Sequence, residues 1–311
     1  MVQASEQQWR EIAALVAHMA KTGEGTDACY EAGALPLPVH FYSPVPDLGD
    51  LDRRNVWARK SPLAGIDMRP EAQKTLLLEM AQAYAGECAW SEHAEAGSHR
   101  FYWGNPSFSF QCASQLLYFI RRFKPRRIIE IGSGMSSAVI AQAVLANQAE
   151  TGQACDYQIV DPYPNIRPEG FPGLTCLHLQ RVEDLDPAFF AQLGENDLLF
   201  IDSGHVVRIG SDVNFLFLDV IPTLAPGVLV HVHDIPLPYE YPRTYYTNPS
   251  FRVLWTEAYL LQAFLMFNNA WEVLASVPYL RGEAPELMAR IFPHDPSGIA
   301  SGSFWMRRKP A

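Results

Sequence analysis

The chain predicts an α/β fold with a doubly wound, mostly parallel sheet, on three observations. From Pro125 onward, short apolar runs alternate with stretches of helical length. Strands covered by helices on both faces read in this way. The run Arg127-Ile128-Ile129 leads straight into Glu130-Ile-Gly132-Ser-Gly134-Met-Ser136, a strand ending in a glycine turn that opens a helix. Open α/β sheets hold nucleotide-like ligands at that junction. Acids and histidines also close two later apolar runs, Asp202 with His205 and His233 with Asp234, and parallel strands carry such ends to one rim.

The elements follow in order. Residues 5–21 have helical spacing, with Trp9, Ile12, Ala13, Val16 and Met19 or Ala20 on one face. Residues 22–63 are rich in Gly and Pro yet carry aromatics, which predicts an ordered, irregular segment and not a disordered linker. Pro70 suits the first turn of a helix running to Tyr84. Residues 101–110 form an aromatic loop before a helix over 112–123. Strands are predicted over 126–131, 157–161, 174–179, 197–202, 228–233, 271–276 and 303–308. Helices are predicted over 136–147, 186–193, 213–224 and 251–267, where Trp255, Tyr259 and Phe264 read as core. No helix-length pattern separates the last two strands, which could pair as an antiparallel edge.

Composition narrows the function. The 311 residues, 48% apolar, suffice for one large domain with an appendage. The reading divides them into a helical and aromatic-loop extension over 1–110 and a ligand-binding domain over 111–311. The extension could cap the active site or build a homodimer. A net charge of −10 argues against a nucleic-acid partner. Five scattered cysteines without a Cys-x-x-Cys pair suit a reducing cytoplasm. Neither a signal peptide nor an apolar run of ~18 residues is evident, so no membrane partner is expected.

At the glycine turn, Gly132 and Gly134 let the backbone approach a ligand closely. Glu130 would repel a pyrophosphate but attract an ammonium or a sulfonium, and S-adenosylmethionine (SAM) carries both. Glu130 is expected to hold the ammonium, directly or through a water. Backbone N–H groups at the helix start would hold the carboxylate. Ser137 stands where a dinucleotide fingerprint has its third Gly or Ala, which disfavours the alternative of an NAD(P)-dependent oxidoreductase.

These residues resemble the class I SAM-dependent methyltransferases, from about Phe110 to the C-terminus. Glu130-Ile-Gly-Ser-Gly-Met-Ser136 resembles the family's first motif. Asp161 resembles its ribose-binding acid, and Leu224-Ala-Pro-Gly-Val-Leu229 the stretch entering the fifth strand. The resemblance implies a Rossmann-like sheet of seven strands, the last antiparallel. It implies SAM-binding roles for Glu130, Gly132, Ser133, Gly134, Ser136 and Asp161, and an adenine contact near Glu183 and Asp184. Phe200-Ile-Asp-Ser-Gly-His205 and Val230-His-Val-His-Asp234 are most similar to a branch of metal-dependent small-molecule O-methyltransferases.

On that reading Asp202, His233 and Asp234 are candidate ligands of a divalent metal. The mixed donor set favours Fe, Mn or Zn over Mg. His231 and His233 alternate with valines and share a face, so the strand must end near His233 for Asp234 to join it. The alternative is that Asp202 or Asp234 works without metal. His205 is the candidate base for an acceptor hydroxyl, with Asp202 as its catalytic partner. His205 as a metal ligand, or as a residue that orients Asp202, is equally open. Tyr239-Glu-Tyr241, Phe41-Tyr42 and Tyr102-Trp103 are candidate acceptor contacts, though each could instead pack the appendage. An enzyme that moves another part of SAM, or cyclises it, would show the same cofactor pocket.

Overall fold

The structure, a computed structural model, describes residues 4–292 and 301–309. The chain falls into two compact units, Met1–Arg59 with Pro242–Leu254, and Lys60–Tyr241 with Trp255–Ala311.

The smaller unit begins with α1 (Glu6–Thr22). Ser5 starts it: its Oγ accepts from the Gln8 N–H while the Gln8 side chain accepts from the Ser5 N–H, a capping box. Gly23 ends it with φ +81°. No residue of α1 is buried, so its apolar stripe faces outward. Two further helices, α2 (Thr26–Glu31) and α3 (Leu48–Arg53), lie in the segment expected to be irregular. Arg243 forks onto both carboxylate oxygens of Asp52 at 2.9 Å. Trp57 meets Tyr246 beside it, 5.4 Å between ring centres.

In the larger unit, α4 (Pro70–Tyr84) and α5 (Phe110–Phe123) precede β1 (Arg127–Ile131), α6 (Met135–Thr151), β2 (Asp156–Val160), β3 (Leu174–His178) and β4 (Leu198–Ile201). Next comes α7 (Asp212–Phe215), prolonged by a wider π turn over Leu216–Val220, and β5 (Leu229–Val232). After α8 (Thr244–Thr247), which belongs to the smaller unit, come α9 (Glu257–Leu265) and β6 (Trp271–Ser276). Then follow α10 (Val277–Glu283), α11 (Pro285–Ile291) and β7 (Phe304–Arg308). The strand order is β3-β2-β1-β4-β5-β7-β6, with β7 antiparallel to both neighbours. The predicted Rossmann-like, seven-stranded, mostly parallel sheet with an antiparallel last strand is therefore present.

The last two strands pair antiparallel at one edge of the sheet as expected, with β7 between β5 and the outermost β6. Two expectations are corrected. Two seven-residue helices, α10 and α11, lie between those strands, where no helical pattern was read. The helix over 251–267 shrinks to Glu257–Leu265, because Thr256 is engaged elsewhere. Its N–H donates to the His205 carbonyl and its Oγ1 accepts from Val207 N–H.

The core explains the architecture. Ile128, Ile129 and Ile131 of β1, and all four residues of β4, are buried between helical layers. Trp305 of β7 stacks on Phe119 of α5 at 3.8 Å. Its indole N–H donates to Gln115 and Ser303, both 3.0 Å away. Among the described residues no helix is long and apolar enough to cross a membrane.

Candidate functional site

The site grows from the ends of β1 and β4. The Asp202 N–H donates to the Ile131 carbonyl at 3.0 Å, extending the pairing by one residue. Gly132 then turns with φ +84°, and a Cβ there would lie 2.1 Å from the Asp202 carbonyl oxygen. Only glycine fits, both for conformation and for space. This close approach opens a cleft of about 560 Å³ along the strand ends.

Gly132, Ser133, Asp161, Glu183 and Asp202 all line that cleft. Asp161 is held from two sides: one oxygen accepts from Ser133 Oγ (2.7 Å) and the other from Tyr163 N–H (2.8 Å). The turn role and the cleft role thus coexist in one carboxylate. Glu183 accepts from Arg181 Nε at 2.8 Å.

Glu130 is placed differently from expectation. It is fully buried and does not line the cleft. Its carboxylate accepts from Ser136 Oγ (2.6 Å), Ser137 Oγ (2.9 Å) and the Tyr157 hydroxyl. Burial raises its carboxyl to about 7, against the lowering effect of those three hydroxyls. No open oxygen awaits an ammonium. The acid ties β1, β2 and the start of α6 together and so fixes the glycine turn from beneath. Ser136 is likewise buried, and Gly134 lines a neighbouring cavity of about 320 Å³ with Met135 and Tyr102.

On the other side of Asp202, β5 delivers two histidines and an acid. His231 is a core residue. Its ring stacks on Phe200 at 4.3 Å, and Nε2 lies 3.0 Å from Ser303 Oγ. Burial, then repulsion from His233, pushes its pKa well below the ordinary value. His233 shares that face, its ring 4.8 Å from Phe108. Regular pleating would send Asp234 to the opposite face. β5 ends at Val232, however, and Asp234 adopts φ +54°, a conformation that aspartate tolerates. The turn brings its Oδ1 within 3.6 Å of His233 Nε2. One ligand atom each from Asp202, His233 and Asp234 lies within 4.8 Å of the others.

His205 sits behind this group, also in a left-handed conformation (φ +56°). Its Nε2 is 3.3 Å from Asp202 Oδ1 and 3.8 Å from Asp234 Oδ2, and its Nδ1 is 2.8 Å from Glu257 Oε2. Burial alone would lower its pKa, but Asp202 and Glu257 together raise it well above the ordinary value. The Asp202 carboxyl falls to about 2: burial, which would raise it, is outweighed by His233 and His205. His205 is thus paired at both ring nitrogens, to Asp202 through Nε2 and to Glu257 through Nδ1.

Glu257 was missed. It stands four residues before Leu261 and eight before Leu265 on the buried stripe of α9, and an acid on an apolar stripe is the signal that could have found it. Its neighbours Trp255 and Tyr259, read as helical core, are a residue outside the helix against the His205 ring (4.3 Å) and a 48%-exposed surface residue. Tyr241 is buried, whereas Phe41 and Tyr42, in the smaller unit, are 81% and 88% exposed. Tyr239 lies under the Lys60 ammonium.

A family model for a methyltransferase domain matches residues 129–235. An uncharacterized protein of Archaeoglobus fulgidus is 32% identical over 183 residues, 56% of this chain and 80% of that protein. Among solved structures, CmcI-N160 with SAH shows 16% identity over 64% of this chain and 77% of that chain, with a TM-score of 0.36. SAH-bound PaMTH1 of Podospora anserina shows 15% identity over 86% and 99%, with a TM-score of 0.38. The chain therefore carries a methyltransferase domain.

Proposed function

We propose that this methyltransferase moves the SAM methyl group to a hydroxyl oxygen of a small-molecule acceptor, with a divalent cation held by Asp202, His233 and Asp234. The observation that carries the reading is the convergence of those three side chains beside the cleft. The fit is good in two respects. The donor atoms lie within 4.8 Å of one another, and two carboxylates with one imidazole suit Mn, Fe or Zn better than Mg. When bound, such an ion would lower the pKa of an acceptor hydroxyl.

The chain's own residues do the rest. Ser133 and Asp161 supply hydrogen-bonding groups for the ribose, and the Glu183 segment flanks the adenine. Gly132 lets the methionine portion approach the strand ends. Positioning an oxygen ~3 Å from the methyl carbon, opposite the sulfur, supplies much of the rate. His205 donates from Nε2 to Asp202 and so orients it. Residues 1–110 serve as a cap or a dimerisation element, and the acidic protein works in the cytoplasm without a nucleic-acid partner.

Two measurements test this. Incubation with labelled SAM and a panel of hydroxylated small molecules should yield S-adenosylhomocysteine. Methylthioadenosine would instead mean transfer of the aminocarboxypropyl chain. Protein purified without a histidine tag should carry near-stoichiometric metal that Asp202→Ala loses. Metal-free protein with full activity would refute the metal role.

A further inference from the structure

A buried carboxylate is costly unless it is paired, and Glu257 is completely buried. Its Oε2 meets His205 Nδ1 at 2.8 Å, while Oε1 has no hydrogen-bond partner among the described residues. The backbone repeats the connection: the Thr256 and Glu257 N–H groups both donate to the His205 carbonyl, at 2.9 and 3.2 Å. The start of α9 therefore grips His205 by ring and by main chain, across 52 residues of sequence.

We infer that Glu257 is a positioning residue, which fixes the ring of His205 and through it the carboxylate of Asp202. The physical reason is twofold. A Nδ1–H donated to Glu257 dictates that the opposite nitrogen, Nε2, faces Asp202, 3.3 Å away, and a planar ring anchored at one edge cannot swing away from it. Outer partners that orient a ligating group in this way are worth ~10–100-fold in metal affinity. The inference rests on the proposed cation site, but part of its test does not.

Metal-free protein is first examined by proton NMR. The buried His205 Nδ1–H should give an exchange-protected, downfield resonance that disappears in His205→Gln and shifts or vanishes in Glu257→Gln. Mn²⁺ affinity is then titrated for wild type, E257Q, H205Q and the double variant, with SAH affinity measured beside it. Each single variant should lose about tenfold in Mn²⁺ affinity. The double variant should lose no more than H205Q alone, and SAH affinity should hold within about twofold in all. Losses that multiply in the double variant would show that Glu257 acts independently of His205, and parallel loss of SAH binding would show a merely structural role. Either outcome, or an unchanged resonance in E257Q, overturns the inference. If wild type binds no Mn²⁺, the cation reading fails, and the resonance alone decides whether Glu257 holds His205.

Discussion

Replacing Glu130 by glutamine should change how stability depends on pH, by an amount that the structure fixes. Burial raises the Glu130 carboxyl from 4.5 to about 7 in the folded chain. Below pH 4.5 the group is protonated both folded and unfolded. As pH rises through about 7, the unfolded chain has already ionised while the folded one must ionise a buried acid. The stability present at low pH is then lost. At ~1.4 kcal/mol per pKa unit the loss approaches about 3 kcal/mol. Glutamine keeps one acceptor oxygen, presents an amide N–H₂ that a rotated serine hydroxyl can accept from in place of the other, and has nothing to ionise. Urea unfolding of wild type and E130Q, followed by circular dichroism at pH 5 and pH 8, measures the difference. E130Q should gain on wild type by about 2–3 kcal/mol between the two pH values. An equal difference at both would refute the claim that Glu130 is a buried, poorly ionised strut of the glycine turn.

Gly132→Ala should cost at least ~1–2 kcal/mol from its left-handed backbone alone. The clash with the Asp202 carbonyl should also abolish SAH binding, as read by thermal shift with and without SAH. Asp161→Ala removes the acceptor for two ribose hydroxyls and should weaken SAH binding ~10–100-fold by calorimetry, with little change in Mn²⁺ affinity. Asp234→Asn keeps a residue that tolerates the left-handed conformation but removes the charge. Mn²⁺ affinity should fall by more than the ~10–100-fold typical of an outer-shell loss, with SAH affinity unchanged.

Much of the sheet was legible in the sequence because buried parallel strands are short and apolar, and each predicted strand lies within two residues of its observed ends. The glycine turn, Asp161 and the paired ends of β4 and β5 were also readable. Hidden were the features that depend on tertiary contact. The grip of Thr256 and Glu257 on His205 shortened α9. The left-handed turn at Asp234 brought together what pleating would separate. Whether Glu130 faces ligand or core is decided by Ser136, Ser137 and Tyr157, and no local pattern announces such a three-way contact. The apolar stripe of α1 was legible as one helical face, and Trp9 on it is 55% exposed.

Calorimetric titration with SAM, and separately with NADH, tests the cofactor assignment most directly. Binding of one SAM per chain, absent for NADH and weakened in Asp161→Ala, is the predicted result. No heat with SAM, or NADH bound at the same cleft with equal strength, would contradict it.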